Sequence, residues 1–279
     1  MSILTALRGS QSDNKPARFS HHDLMTRSID VVLFAATTNC NLRCTYCAVS
    51  LPDYVGEDFD VSKLDDLASG FARANVRLVQ ISGHGETTIL PNWEKFALAF
   101  EHRGIPTCIT SNFSKIFSDS EIDALAQMSH ITISIDTVDR ELLQAVRRKV
   151  DLRTILYNMS RIRLCAQHHG RVPNFNWQCT LSDKVYRGLR DWMDLGILNG
   201  VTNFTLGNLI ELSALPDTPR HVAKMERDEL LDACRIIADV CNHASKSGVW
   251  ISIQPGIIEG INESLVARGV NEPFSPRKS

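Results

Sequence analysis

Three cysteines fall within eight residues, in Thr37-Thr38-Asn39-Cys40-Asn41-Leu42-Arg43-Cys44-Thr45-Tyr46-Cys47. Thiolates at this spacing can ligate three irons of a cubane iron-sulfur cluster, and no fourth cysteine lies nearby to take the last iron. An open metal position of that kind serves catalysis, because a cofactor or substrate can occupy it. The competing reading is a zinc ion completed by a histidine such as His84. Zinc sites usually pair Cys-x-x-Cys units, whereas here the spacing is three then two. The other five cysteines, Cys108, Cys165, Cys179, Cys234 and Cys241, are scattered, and no Cys-x-x-Cys follows Cys47. One cluster is therefore expected.

A second candidate segment is Ser82-Gly83-His84-Gly85-Glu86-Thr87-Thr88. Glycines let a backbone approach a ligand closely, and exposed carbonyls with a carboxylate can receive an ammonium group. Taken alone, such a turn is a weak signal and reads first as a tight strand-to-helix connection. Thr110-Ser111-Asn112 and Ser134-Ile135-Asp136 are two further polar stretches, each placed where a strand should end. Arg147 and Arg148 offer cations, or simply a solvated basic face. Asn176 and Gln178 are candidate polar contacts, or core hydrogen-bonding groups. Cys108 shares the parity of Thr110 and Asn112, which would point its thiol inward.

The elements that must position these residues alternate short β-branched runs with longer amphipathic stretches, the rhythm of repeated β/α units. Strands are predicted over 31–36, 76–82, 105–111, 131–136, 174–181, 202–209 and 249–253. Helices fit over 63–74, 93–102, 118–128, 140–168 with one break, 184–195 and 222–246. Both chemical loops then follow strands, at the end of the sheet where such folds place their sites. In the fifth strand Phe175, Trp177, Cys179 and Leu181 share one face, and Asn176, Gln178, Thr180 and Ser182 the other. The fourth strand repeats this, with Ile131, Ile133 and Ile135 opposed to Thr132, Ser134 and Asp136. A doubly wound sheet is covered by helices on both faces, so a polar face on successive strands favours a barrel with a polar interior. Cys234 and Cys241 sit seven apart on a predicted helix, too far separated for one cluster without other ligands.

The Cys-x-x-x-Cys-x-x-Cys loop, with an aromatic residue before its last cysteine and a strand ahead of it, resembles the radical S-adenosylmethionine (radical SAM) superfamily. The wording T-x-N-C-N-L-R-C-x-Y-C is similar to the branch that includes molybdenum-cofactor biosynthesis and sulfatase-maturing enzymes. The Gly83-His84-Gly85-Glu86 turn resembles that family's glycine-glycine-glutamate motif, with His84 inserted and Thr87 where proline is frequent. The resemblance covers about residues 30 to 255. It implies an α/β fold, a partial (β/α)6 TIM-like barrel of parallel strands with outer helices. The expected organisation is a polar N-terminal extension at 1–29, the barrel domain at 30–255, and a loose C-terminal tail at 256–279.

By the same resemblance Cys40, Cys44 and Cys47 hold a 4Fe-4S cluster, whose open iron is chelated by S-adenosylmethionine. Tyr46 packs near the adenine, Gly83, Gly85, Glu86 and Thr87 meet the methionyl part, and Asn112, Ser134, Asp136 and Gln178 face the cofactor. Arg147 supplies a cation to its carboxylate. The implied activity is reductive cleavage of S-adenosylmethionine to a 5′-deoxyadenosyl radical that abstracts hydrogen from a small-molecule or peptide substrate, in biosynthesis or maturation. An electron donor such as flavodoxin or ferredoxin is implied with it. Alternatives are a glycyl-radical activase, an RNA-modifying radical enzyme, or a non-catalytic metal-binding module.

Composition narrows these. The 279 residues are 43% hydrophobic and 22% charged, with 30 basic against 32 acidic side chains and a formal net charge of -2. That is a globular composition with no global field to hold a nucleic-acid backbone or an anionic membrane, and no basic, aromatic-interleaved stripe stands out. No apolar run approaches the roughly 18 to 20 residues of a membrane span, and the first twenty residues lack a signal pattern. A cytoplasmic protein with reduced thiols is expected.

Overall fold

The computed structural model describes residues 29–276, apart from 213 and 216. Its frame is seven parallel strands: β1 Val32–Phe34, β2 Val79–Ile81, β3 Thr107–Ser111, β4 His130–Ser134, β5 Phe175–Thr180, β6 Asn203–Gly207 and β7 Trp250–Ile253. They hydrogen-bond in sequence order in one sheet from β1 to β7. The sheet does not close on itself, so the fold is an α/β partial barrel. Eight α-helices are found among the described residues: α1 Leu64–Arg73, α2 Glu94–Glu101, α3 Asp119–Gln127, α4 Arg140–Arg147, α5 Leu152–His168, α6 Leu189–Leu198, α7 Arg227–Lys246 and α8 Pro255–Ala267.

Local chemistry explains the boundaries. Ser118 and Glu121 form a capping box at the start of α3, satisfying two backbone donors that the first turn leaves orphaned. Asp139 caps α4 through Leu142 N–H, and Asp151 caps α5 through Arg153 N–H. Between these two helices Arg148 and Lys149 have φ of 39° and 67°. That left-handed pair is the break expected within 140–168, and non-glycine residues adopt it only when their surroundings impose it.

The face alternation read in the sequence is the one that organises the core. Ile131, Ile133, Ile135, Phe175, Trp177, Cys179 and Leu181 are all buried, on the side where Trp192 of α6 packs between Trp177 and Phe204. On the opposite face polar side chains bond across the strands. Gln80 donates to Thr110, Asn176 to Thr132 and Thr205 to Asn176, while Thr205 and Ser252 hydroxyls meet at 3.1 Å. Buried polar groups need such partners, so the interior is a hydrogen-bonded wall of amides and hydroxyls.

The C-terminal segment departs from expectation. The stretch expected to be a loose tail from 256 begins with α8, whose Ile257, Ile261 and Leu265 are buried. Phe274 N–H then donates to Asn262 Oδ1 at 2.6 Å. Pro255, read as the end of order, is the first residue of that helix, where a missing N–H costs nothing. Of the N-terminal extension expected at 1–29, residues 1–28 lie outside the described residues. No described helix is long and apolar enough to cross a membrane.

Candidate cluster and cofactor site

The cysteine loop leaves the end of β1 and is fastened on three sides. At its start Thr37 Oγ1 and Asn39 Nδ2 donate to Asp58 Oδ1 at 2.6 and 2.9 Å, and Thr38 N–H donates to Glu57 O at 2.9 Å. In its middle Cys47 N–H donates to Cys44 O at 3.1 Å, a tight turn that Ser50 Oγ reinforces by donating to the same carbonyl. Near its end Thr45 N–H donates to Val146 O, in the last turn of α4, and Thr218 Oγ1 donates to Thr45 O. Cys44 is buried, while Cys40 and Cys47 are half-buried.

Burial pushes the Cys44 thiol up to about 12 and raises Cys40 as well, because a thiolate is costly in apolar surroundings. Metal ligation needs the thiolate, so loading the loop displaces these protons. Donors already face Cys40 Sγ, from Leu42 N–H at 3.4 Å and Asn112 Nδ2 at 3.9 Å. Such donors stabilise ligating sulfurs. Among the described residues the one group whose ligand atoms all lie within 4.8 Å of one another is elsewhere. The three loop thiols do not form such a group.

The glycine turn after β2 is pressed against this loop. Glu86 N–H donates to Asn39 O at 2.8 Å. A Cβ on Gly85 would lie 2.3 Å from Asn39 O and 2.6 Å from Thr37 O, and one on Gly83 would lie 2.6 Å from Ala35 Cβ. Both glycines thus answer to the neighbouring segment 35–39, a close approach only glycine allows. The Glu86 side chain points into the protein. It is buried and accepts from Thr88 N–H and Oγ1, from Ser111 Oγ at 2.8 Å and from Asn112 N–H at 2.7 Å. Burial raises its pKa, with these hydrogen bonds opposing. Thr87 is buried beside it and His84 is exposed.

Three further expected contacts converge in a second buried network. Asp136 accepts from Arg147 Nε at 2.8 Å and Nη2 at 2.9 Å, from Tyr46 Oη at 2.7 Å and from Thr180 N–H at 2.8 Å. The Asp136 side chain is 0% exposed and that of Arg147 8%. The guanidinium also lies 5.7 Å from the centre of the Tyr46 ring, within cation–π range. Tyr46, Asp136 and Arg147 are thus brought together, bonded to one another beneath the cysteine loop. Arg148 points away, toward Asp217 at 3.7 Å.

Asn112 joins the two loops, donating to Asn41 Oδ1 at 3.0 Å. Ser134 and Gln178 pair in register on the interior face of β4 and β5, both half-buried. Cys108 faces the same interior, fully buried, with its thiol pushed up to about 12. Cys179 lies on the helix-packed face. Residue types alone did not reveal the anchors Asn39, Asp58, Thr45 and Thr218.

Residues 35–167 match the family described as the Radical SAM superfamily. A GTP 3',8-cyclase from Chlorobaculum tepidum is 34% identical over 131 residues, 46% of this chain and 39% of that protein. Another from Rhodococcus opacus is 28% identical over 174 residues, 60% of this chain and 47% of its own length. The chain spans less than half the length of these relatives. Among solved structures, Streptococcus suis SuiB bound to S-adenosylmethionine superposes with a TM-score of 0.65 at 18% identity, covering 91% of this chain and 55% of that one. Methylornithine synthase PylB superposes with a TM-score of 0.57 at 12% identity, covering 91% and 74%. Both structural likenesses speak to the fold. With the cysteine loop at its head and the Asp136–Arg147 pair toward its end, the segment 35–167 is a radical SAM domain, and the cofactors of that family are a 4Fe-4S cluster and S-adenosylmethionine.

Proposed function

We infer that this chain is an enzyme that reductively cleaves S-adenosylmethionine and abstracts hydrogen from a small-molecule or peptide substrate in a biosynthetic or maturation step. The observation that carries this reading is the fastening of the glycine turn onto the cysteine loop through Glu86 N–H and Asn39 O. It brings the Gly83-His84-Gly85-Glu86 turn against the three-cysteine loop, which supports a shared cluster and cofactor site. When bound, the cluster and S-adenosylmethionine supply one-electron cleavage and a carbon-centred radical.

The chain's own residues do the rest. Cys40, Cys44 and Cys47 hold the metal. Asn112 and Leu42 N–H donate toward Cys40 Sγ, and the Asp136–Arg147–Tyr46 network keeps the underside of the loop rigid and dry. Water exclusion matters because a reactive radical otherwise attacks whatever is nearest. The interior wall of Thr110, Thr132, Asn176, Gln178 and Thr205 presents uncharged donors and acceptors. Those groups suit a neutral polar metabolite or a peptide backbone better than the polyanion named for the GTP cyclases. An electron donor such as flavodoxin or ferredoxin, a cytoplasmic location and the absence of nucleic-acid substrates belong to the same proposal.

Anaerobic reconstitution with iron and sulfide, reduction, and quantification of 5′-deoxyadenosine test it. Wild type should form the product and Cys44→Ala should form none. A wild-type protein with a full 4Fe-4S cluster that forms no 5′-deoxyadenosine, alone or with peptide and metabolite pools, would overturn the reading.

A further inference from the structure

Far from the cysteine loop, α3 and α5 bring together a thiol, an imidazole and a carboxylate. Cys165 and His169 are one helical turn apart at i and i+4, so they share a face of α5. Asp123 projects from α3 opposite them. Asp123 Oδ1 lies 2.7 Å from His169 Nε2 and 3.7 Å from Cys165 Sγ, and the three ligand atoms all fall within 4.8 Å of one another. We propose that Asp123, Cys165 and His169 form a mononuclear binding site for a borderline-soft divalent cation of the zinc class, clamping α3 to α5.

The donor set is the reason for that metal class. One sulfur, one imidazole nitrogen and one carboxylate oxygen match zinc, and three protein ligands leave the fourth tetrahedral position for water. Ligands around such an ion sit roughly 3.3–3.7 Å apart. The present spacing needs only a small opening of the Asp123–His169 contact, which both half-exposed side chains permit. The cation would replace the Nε2···Oδ1 contact, with the imidazole keeping its one proton on Nδ1, and the Cys165 thiol proton would leave to solvent. The other carboxylate oxygen is already oriented, since Gln127 Nε2 donates to Asp123 Oδ2 at 3.0 Å. Metal-bound carboxylates characteristically have a partner of this kind.

The helices are held in place independently. Arg161 of α5 pairs with Asp119 of α3 at 2.6 Å and also donates to Phe117 O. Although the fourth position is open to water, location assigns the site to clamping the two helices. The C-terminal ends of α3 and α5 run into the starts of β4 and β5, so the triad lies toward the end of the barrel opposite the cysteine loop, where barrels carry stability rather than chemistry.

The test uses the full-length protein with its iron loaded. It is incubated with about one equivalent of Zn2+, desalted, and analysed for zinc and iron, while iodoacetamide labelling of Cys165 is followed by peptide mass spectrometry. Wild type should retain one zinc per chain with iron unchanged, and zinc should slow Cys165 alkylation on the order of tenfold. His169→Gln, which keeps the thiol and lies at an exposed position, should abolish both effects, and Gln127→Ala should weaken retention about tenfold. Equal zinc retention in wild type and His169→Gln, zinc gained only as iron is lost, or Cys165 alkylation indifferent to zinc would each overturn the site.

Discussion

Glu86 at the end of β2 and Asp136 at the end of β4 are both buried beside the cysteine loop, yet they are satisfied in different ways. Asp136 faces a guanidinium that is itself buried, and the two charges complete each other through paired hydrogen bonds. Glu86 meets only neutral donors: two backbone N–H groups and two hydroxyls. Losing the charge of Glu86 leaves hydroxyls that can rotate and no stranded ion. Losing the charge of Asp136 leaves Arg147 alone in a low dielectric, the costly way to break a buried pair. The loop is thus anchored on one side by a pair that tolerates no single change and on the other by an adaptable one.

The largest effect should come from Asp136→Asn. It should destabilise the fold by about 3–5 kcal/mol, read from urea unfolding, and abolish stable iron incorporation because the loop loses its floor. If Asp136→Asn costs no more than Glu86→Gln, the contrast between the two carboxylates fails.

Glu86→Gln should cost less, about 1–2 kcal/mol, because its new NH2 group opposes a donor and loses charge-assisted bonds. Its pH dependence sharpens the contrast. The folded pKa of Glu86 is raised above its ordinary value of 4.5, so the fold holds this proton more tightly than the unfolded chain does. The stability it contributes is full below 4.5 and is lost as the pH climbs through the raised folded value. Wild type should therefore lose stability relative to Glu86→Gln as the pH rises from 4.5, and parallel unfolding curves at every pH would contradict this.

The smallest effect is expected from Tyr46→Phe. It removes one hydrogen bond to Asp136 but leaves the ion pair and the ring in place, a cost of about 1 kcal/mol. A loss near that of Asp136→Asn would mean that the phenol, and not the guanidinium, dominates the network.

Much of this was legible beforehand, for identifiable reasons. Period-two alternation located the interior and the helix-packed faces of β4 and β5, because each face has one environment along its whole length. The cysteine spacing marked the loop, since three of eight cysteines falling within eight residues of a 279-residue chain is a rare coincidence. The role of the glycines was legible only in part: their need for a close approach followed from residue type, but Asn39 and Thr37 as the approaching atoms did not. The mutual satisfaction of Tyr46, Asp136 and Arg147 left no trace in sequence, because Tyr46 and Asp136 are 90 residues apart and nothing local announces a partner. Helix α8 was missed where a proline that opens a helix looked like one that ends order.

The cysteine loop is compact in sequence, but what fixes it comes from far along the chain. Thr45 is held by Val146, 101 residues later, and by Thr218, 173 residues later. During synthesis, then, the three thiols emerge long before the surfaces that immobilise them. A nascent chain that stops short of α4 presents an untethered loop, able to bind stray metal but unable to shape it, and productive cluster delivery is an event for the nearly finished protein.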